Sequence, residues 1–531
     1  MGHSRWRAGA LVAAAVLLAG TAVSCTDDGE GDGSGGKSGK SPATTPSSAP
    51  PDSPAASPSA GALPASVTGQ LPVWRPCKAP ADDPGADAPG GRWQCASIRA
   101  PLDYAKPDGE TMAIALIRAE AKDEKRRIGS LVFNFGGPGA SGVAVLPGFA
   151  EDFTQLNDRY DLVSFDPRGV AGSSSVVCRN DRETEASHRV DNTPDTAAEE
   201  KAFLADSAAF GAGCAQRSGK VLPHVSTANT ARDMDLIRHV LGDAKLHYFG
   251  FSYGTELGGV YAHLFPKNVG RLVMDAVVDP TADFAGGARN QALGFQRALD
   301  NYFTSRGTGA KDGTAKVAAL LKRLDGKPLP ATPGRELTES LALTAVVFSL
   351  YSEERWPLLT EGLAAAERGD GTELLRLADS YNSRDAEGRY STKSHSQRAI
   401  SCADARARPT ADDVKSRHLA DFTRVSPVFG PYLAWDVAGW CAQWPVEGVW
   451  EKPEVSAKGA PPVLVIGTTG DPSTPYEGAQ RMADGLGTGV GVLISSKGQN
   501  HGSYGFSPCV TRLVDAYLLG GKVPKSGTSC G

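Results

Sequence analysis

Lysine and arginine nowhere gather into a basic cluster in this chain of 531 residues, and 55 of them stand against 60 aspartates and glutamates, a formal charge of −5. An acidic balance without a basic stripe offers no electrostatic footprint for nucleic acid. No histidine, cysteine or carboxylate spacing suits a metal, and no motif calls for a cofactor, so none is expected. Internal repeats are missing, which excludes solenoids and propellers. Large apolar residues nearly vanish between Thr26 and about Ala65, where Gly, Ser, Pro, Ala and Asp dominate. Such a segment cannot bury a core and reads as a disordered tether.

What is present is most concentrated at Gly250-Phe251-Ser252-Tyr253-Gly254, a G-x-S-x-G pattern. Lys245 to Phe249 reads as a short buried strand and Thr255 to Ala262 as the first turns of a helix. A serine on so sharp a strand-to-helix turn needs small neighbours on both sides, which Gly250 and Gly254 supply. Alone, five residues recur by chance in a chain with 62 glycines; the flanks strengthen the reading.

The partners of such a serine follow in the order acid, then histidine. Pro461 to Gly467 is an apolar run leading into Thr468-Thr469-Gly470-Asp471-Pro472, which puts Asp471 just past a strand. A helical stretch from Tyr476 to Leu486 and a second apolar run from Val490 to Ile494 precede Gly498-Gln499-Asn500-His501-Gly502. Histidine can take the serine proton near neutral pH, and a buried aspartate holds its tautomer. Asp471 before Pro472 also suits a plain turn start, and His501 also reads as an ordinary loop histidine. The remaining histidines lie before or around the serine, far upstream of the last strands, or in polar sequence. Thr474 either contacts His501 or the acid, or only stabilises the turn.

An oxyanion needs donors. Leu131 to Phe135 reads as an early strand, followed by Gly136-Gly137-Pro138-Gly139-Ala140-Ser141-Gly142. Glycines let backbone N–H groups face negative charge unobstructed. The candidate donors are Gly137, since Pro138 has no N–H, and Tyr253; a tight turn is the alternative. Asp161 to Gly169 adds a strand-to-loop unit expected to support this loop.

Together GGPGASG, DLVSFDPRG, GFSYGT, GTTGDPSTP and GQNHG, in this order, resemble the α/β-hydrolases of the prolyl aminopeptidase and secreted tripeptidyl aminopeptidase group, including bacterial cell-envelope lipoproteins. The likeness runs from about Trp74 to the C-terminus. Prolyl iminopeptidases usually carry His before GGPG; Phe135 stands there here, which favours the tripeptidyl branch. The resemblance implies an α/β-hydrolase fold, a mostly parallel sheet with a largely helical cap insertion.

Composition fits that layout. Residues 1–24 would be a signal peptide, 25–70 a lipidated cysteine and linker, 71–280 the first part of the core, 281–454 the cap, and 455–531 the rest of the core. The two core parts hold roughly 260 residues, suitable for one domain. Helical patterning inside the insertion is clearest from Ser340 to Leu350.

Arg5 and Arg7 before the apolar stretch Ala8 to Val23 make a secretory signal. Cys25 directly after Ala22-Val23-Ser24 resembles a bacterial lipobox, so Cys25 would carry lipid and hold the protein to the outer face of the cytoplasmic membrane; a plain signal peptide, giving a secreted protein, and an uncleaved anchor are the alternatives. Removing Cys25 from nine cysteines leaves eight, an even number suited to an oxidising compartment. Pairing sequence neighbours gives Cys77 with Cys95, Cys178 with Cys214, Cys402 with Cys441 and Cys509 with Cys530, among 105 possible connectivities.

The expected activity is a serine exopeptidase releasing short peptides, tripeptides by resemblance, from peptides or proteins with free N-termini. A carboxylesterase of the same fold and a non-catalytic envelope binding protein are the alternatives. Recognition of a free amine calls for carboxylates. Candidates are Glu353, Glu354, Asp404 and Glu256, each of which also reads as a solvated helix-face acid or, for Glu256, as a partner of the helix dipole.

Overall fold

The computed structural model describes residues 63–80 and 87–531. The expected signal peptide and Cys25 lie outside the described residues. One ten-stranded sheet forms the frame, in the order β1-β2-β3-β5-β4-β6-β7-β10-β11-β12. Its strands are β1 (Arg75–Pro76), β2 (Gln94–Pro101), β3 (Thr111–Ala119), β4 (Gly129–Asn134), β5 (Tyr160–Phe165), β6 (Leu246–Phe251), β7 (Val269–Asp275), β10 (Val463–Thr468), β11 (Gly491–Ser496) and β12 (Thr528–Cys530). A separate pair, β8 (Leu329–Pro330) and β9 (Glu336–Leu337), lies in the inserted region. β1, β2, β3 and β5 pair antiparallel; from β5 through β12 every pairing is parallel.

Parallel strands buried on both faces read as unbroken apolar runs. β4, β5 and β10 are buried at every position. On one face Phe133, Phe153, Phe249 and Tyr504 pack with the C-terminal helix Pro508–Gly520; on the other, helices Thr227–Val240, Tyr253–Leu264 and Tyr476–Leu486 continue into the cap. The register sets Asn134 opposite Gly250, and Phe251 and Ile466 opposite Asp275. Four strands therefore end together at one edge, where ligands bind in such sheets.

Between β7 and β10 the chain is mainly helical, from Phe284–Ser305 to Gly430–Gly439, and includes Glu339–Leu350 over the patterned stretch. A second helical excursion, not anticipated from sequence, leaves the sheet after β5. Its helices Asp181–Ser187 and Ala197–Ser218 both start with capping boxes. They pack on the inserted helices through Glu185 with Arg335 (3.1 Å) and Arg384 (2.9 Å), and through Phe203 beside Trp435. The linker expected to run to residue 70 ends earlier. Ala65–Thr68 form a helical turn, Val67 is buried, and the Gln70 amide pairs with the backbone of Arg99.

The eight described cysteines form four disulfides, Cys77–Cys95, Cys178–Cys214, Cys402–Cys441 and Cys509–Cys530. These are the neighbour pairings read from the sequence.

Candidate active site

Ser252 sits at φ 56°, ψ −127°, a conformation that non-glycine residues rarely adopt. Its neighbours have no room for side chains. A Cβ on Gly254 would lie 2.6 Å from the Asn134 carbonyl oxygen, and one on Gly250 2.3 Å from that of Gly254. The strained turn is held by the Ser252 N–H donating to the Asp275 carbonyl at 3.1 Å. Ser252 Oγ is buried and without a hydrogen-bond partner.

His501 lies in the loop after β11. Its Nδ1 is 2.8 and 3.0 Å from the two carboxylate oxygens of Asp471, with Thr474 Oγ1 at 3.3 Å. A nitrogen against two acceptors carries the ring proton, which leaves Nε2 as the basic site. Nε2 is buried and also unpartnered. Asp471 additionally accepts from the N–H groups of Ser473, Thr474 and Gly502, so it closes a turn and orients the imidazole at once. The His501 N–H donates to the Tyr351 carbonyl at 2.9 Å, and the Tyr351 ring stands edge-on at 5.2 Å. Serine and histidine line one cavity of about 560 Å³ without a hydrogen bond between them, a contact that commonly tightens only with substrate in place.

The Gly136 loop lies against this serine. A Cβ on Gly136 would fall 2.9 Å from Ser252 Cβ and 3.2 Å from Tyr253 N. Tyr253 is the first residue of its helix, so its N–H has no intrahelical acceptor; neither it nor the Gly137 N–H donates to a described residue. The loop is fastened from behind: Asp166 accepts from Ser141 Oγ (2.7 Å) and the N–H groups of Val143 and Gly172. Arg168, fully buried, forks onto Asp233 at 2.6 and 2.7 Å. That unit is the support the sequence suggested.

The candidate amine-binding acids are scattered. Glu354 is exposed and lines the cavity with Glu151 and Asp152, and no lysine or arginine joins that lining. Glu353 is exposed, and its backbone N–H meets Asn500. Asp404 is not at the serine. Its two oxygens accept from the N–H and hydroxyl of Thr227, so it caps the helix Thr227–Val240. Burial raises Asp404 to about 7 against those bonds. Glu256 is fully buried with both oxygens unpartnered; burial and the nearby Asp404 charge hold it well above the usual carboxylate range.

Asp275 went unnoticed in the sequence. Ending β7, it accepts from the N–H groups of Ala276, Ser503 and Tyr504 at 2.7 to 3.1 Å, and burial raises it to about 6. It thus joins the serine turn to the histidine loop. Its signal was the one that marked Asp471, an aspartate closing an apolar strand.

A family model described as "TAP-like protein" matches residues 426–530. Serine protease Hip1 of Mycobacterium tuberculosis is 36% identical over 467 residues, 83% of this chain and 88% of that protein. Tripeptidyl aminopeptidase of Streptomyces lividans is 32% identical, over 82% and 83% of the two chains. A Mycobacterium tuberculosis protein named carboxylesterase B is 34% identical, over 82% and 86%. The chain belongs to the TAP-like family of α/β-hydrolases and is a serine hydrolase of its peptidase branch.

Proposed function

We propose that this protein is an exopeptidase that removes tripeptides from free N-termini, working outside the cytoplasm on a lipid anchor at Cys25 or after secretion. The observation that carries the exopeptidase reading is the closeness of the cap to the serine loop. A Cβ on Gly139 would meet Lys393 O and Gln397 N of the cap helix Lys393–Asp404 at 2.7 Å each, while Tyr351 covers His501. A roof this close favours a chain end over the middle of a polypeptide. The acidic residues of the cavity lining suit a positively charged terminus, which they would steer inward.

In this reading Ser252 Oγ attacks the scissile carbonyl carbon while its proton passes to His501 Nε2. Asp471 stabilises the imidazolium without taking its proton. The N–H groups of Gly137 and Tyr253 hold the oxyanion. Collapse breaks the C–N bond, and the His501 proton leaves with the new amine. Water then gives its proton to Nε2 and its oxygen to the acyl carbon, freeing Ser252 and the short peptide.

The relative named carboxylesterase B favours ester hydrolysis as a second reading. Chromogenic tripeptides with free or acetylated N-termini, offered beside short-chain esters to the full-length protein and its Ser252→Ala variant, separate the two. Cleavage of free tripeptides, lost on acetylation and in the variant, is expected. Ester turnover without peptide cleavage would replace the proposal with the second reading.

A further inference from the structure

We propose that Asp436, on a helix of the cap, is the residue that receives the substrate's terminal ammonium group. This rests on the aminopeptidase reading. Asp436 lies on the cap helix Gly430–Gly439, is 7% exposed, and has one carboxylate oxygen, Oδ2, buried without a partner. A buried carboxylate lacking a cation is costly, so such a site favours an arriving positive charge. Arg398, whose charge acts on Asp436, makes no ion pair with it. Its Nε donates to the Trp440 carbonyl and its Nη2 to the carbonyls of Gly439 and Ser207. The remaining hydrogen bond comes from the Tyr432 hydroxyl, one turn earlier on the same helix face.

Two tyrosines extend from the catalytic histidine, and the second feels the charge of this carboxylate. Tyr351 stands edge-on to His501 at 5.2 Å, and Tyr381 lies 6.5 Å beyond Tyr351. The Asp436 charge acts on the hydroxyls of both Tyr381 and Tyr432. Both residues are only partly buried among the cap helices. The two ring-to-ring steps place Tyr381 no more than about 12 Å from His501; three extended residues span about 10 Å. A tripeptide acylating Ser252 would therefore bring its ammonium to the neighbourhood of Tyr381, where a carboxylate and aromatic faces both attract it.

The other buried acids suit this role less well. Both oxygens of Asp404 are engaged by Thr227, and Glu256 faces Asp404, a second acid. Glu354 stands at the exposed mouth of the cavity. Burial raises Asp436 to about 7, with Tyr432 and Arg398 opposing the rise, and an ammonium beside it would lower it again. Two cations lie along this path: Lys393 stands 5.7 Å from the Tyr381 ring centroid, and Arg355 interacts electrostatically with Tyr351.

The test compares full-length wild type with Asp436→Asn and the smaller neutral variant Asp436→Ser. Substrates are matched free and acetylated tripeptides and a short-chain ester. The rate of Ser252 labelling by a fluorophosphonate reports whether each variant is folded and chemically intact. In every neutral variant that labels at the wild-type rate, kcat/KM for the free tripeptide should fall on the order of 10- to 100-fold, mainly through KM. Ester turnover should be unchanged. A normally labelled variant that still prefers the free over the acetylated peptide as wild type does would overturn the assignment. So would failure of every neutral variant to label, because Asp436 would then be structural. If wild type itself shows no preference for the free amine, the aminopeptidase reading fails first, and the Asp436 assignment with it.

Discussion

Gly254 has no space for a methyl group, because the Asn134 carbonyl would lie 2.6 Å from it. Gly254→Ala must therefore shift backbone rather than a flexible side chain. The expected outcome is a loss of about 1–3 kcal/mol of stability and at least tenfold slower fluorophosphonate labelling, read by thermal unfolding and intact mass. Glu256 makes a different prediction. Burial and Asp404 raise its pKa in the folded protein above the ordinary 4.5, so the folded state binds the proton more tightly than the unfolded chain. The stability it contributes is full below about pH 4.5 and declines as pH rises toward the raised value. Relative to the isosteric Glu256→Gln, wild type should lose ground in Tm as pH climbs from 4.5, and a flat difference would refute the assignment. Ser252, Asp471 and His501 are legible in sequence because each closes or follows a recognisable strand. Asp275 and Asp436 are not. One ends a strand, a position like that of Asp471, but lies outside every motif, and the other is a single acid on an apolar helix that no sequence pattern marks.

At the level of elements, the cap is secured over the serine by the helix Lys393–Asp404 and by Cys402–Cys441, which ties it to the segment after Gly430–Gly439. Closing a loop of 39 residues removes unfolded-state entropy worth about 3–4 kcal/mol. Replacing both cysteines by serine should lower Tm and reduce peptide turnover more than fluorophosphonate labelling, since labelling needs the triad but not a fixed roof. Equal losses in both would make the roof irrelevant to substrate choice. The strands flanking the motifs are readable from apolar runs, and the helix Tyr476–Leu486 has the bounds its pattern predicts. The excursion after β5 is harder. Its long helix Ala197–Ser218 is rich in alanine and polar residues, so no strong apolar stripe announces that it packs on the cap.

For the whole molecule, four disulfides fit the oxidising surroundings that the proposed export implies. If Cys25 carries lipid, Cys25→Ser should move the protein from the membrane fraction into the medium or leave it unprocessed, while the purified variant keeps full peptidase activity. Retention of wild-type membrane partitioning would remove the lipid anchor from the account. The balance of sheet and cap is readable from the spacing of the motifs. The proposed path of the substrate is not, because it would be assembled from cap residues far apart in sequence, Tyr351, Tyr381 and Asp436. The most direct test of the central claim is mass spectrometry of the products from a long peptide with a free N-terminus, taken over time beside its acetylated twin. The account predicts successive tripeptides released from the free peptide only and a remainder that shortens in steps of three. Internal cleavage, or equal attack on the acetylated peptide, would contradict it.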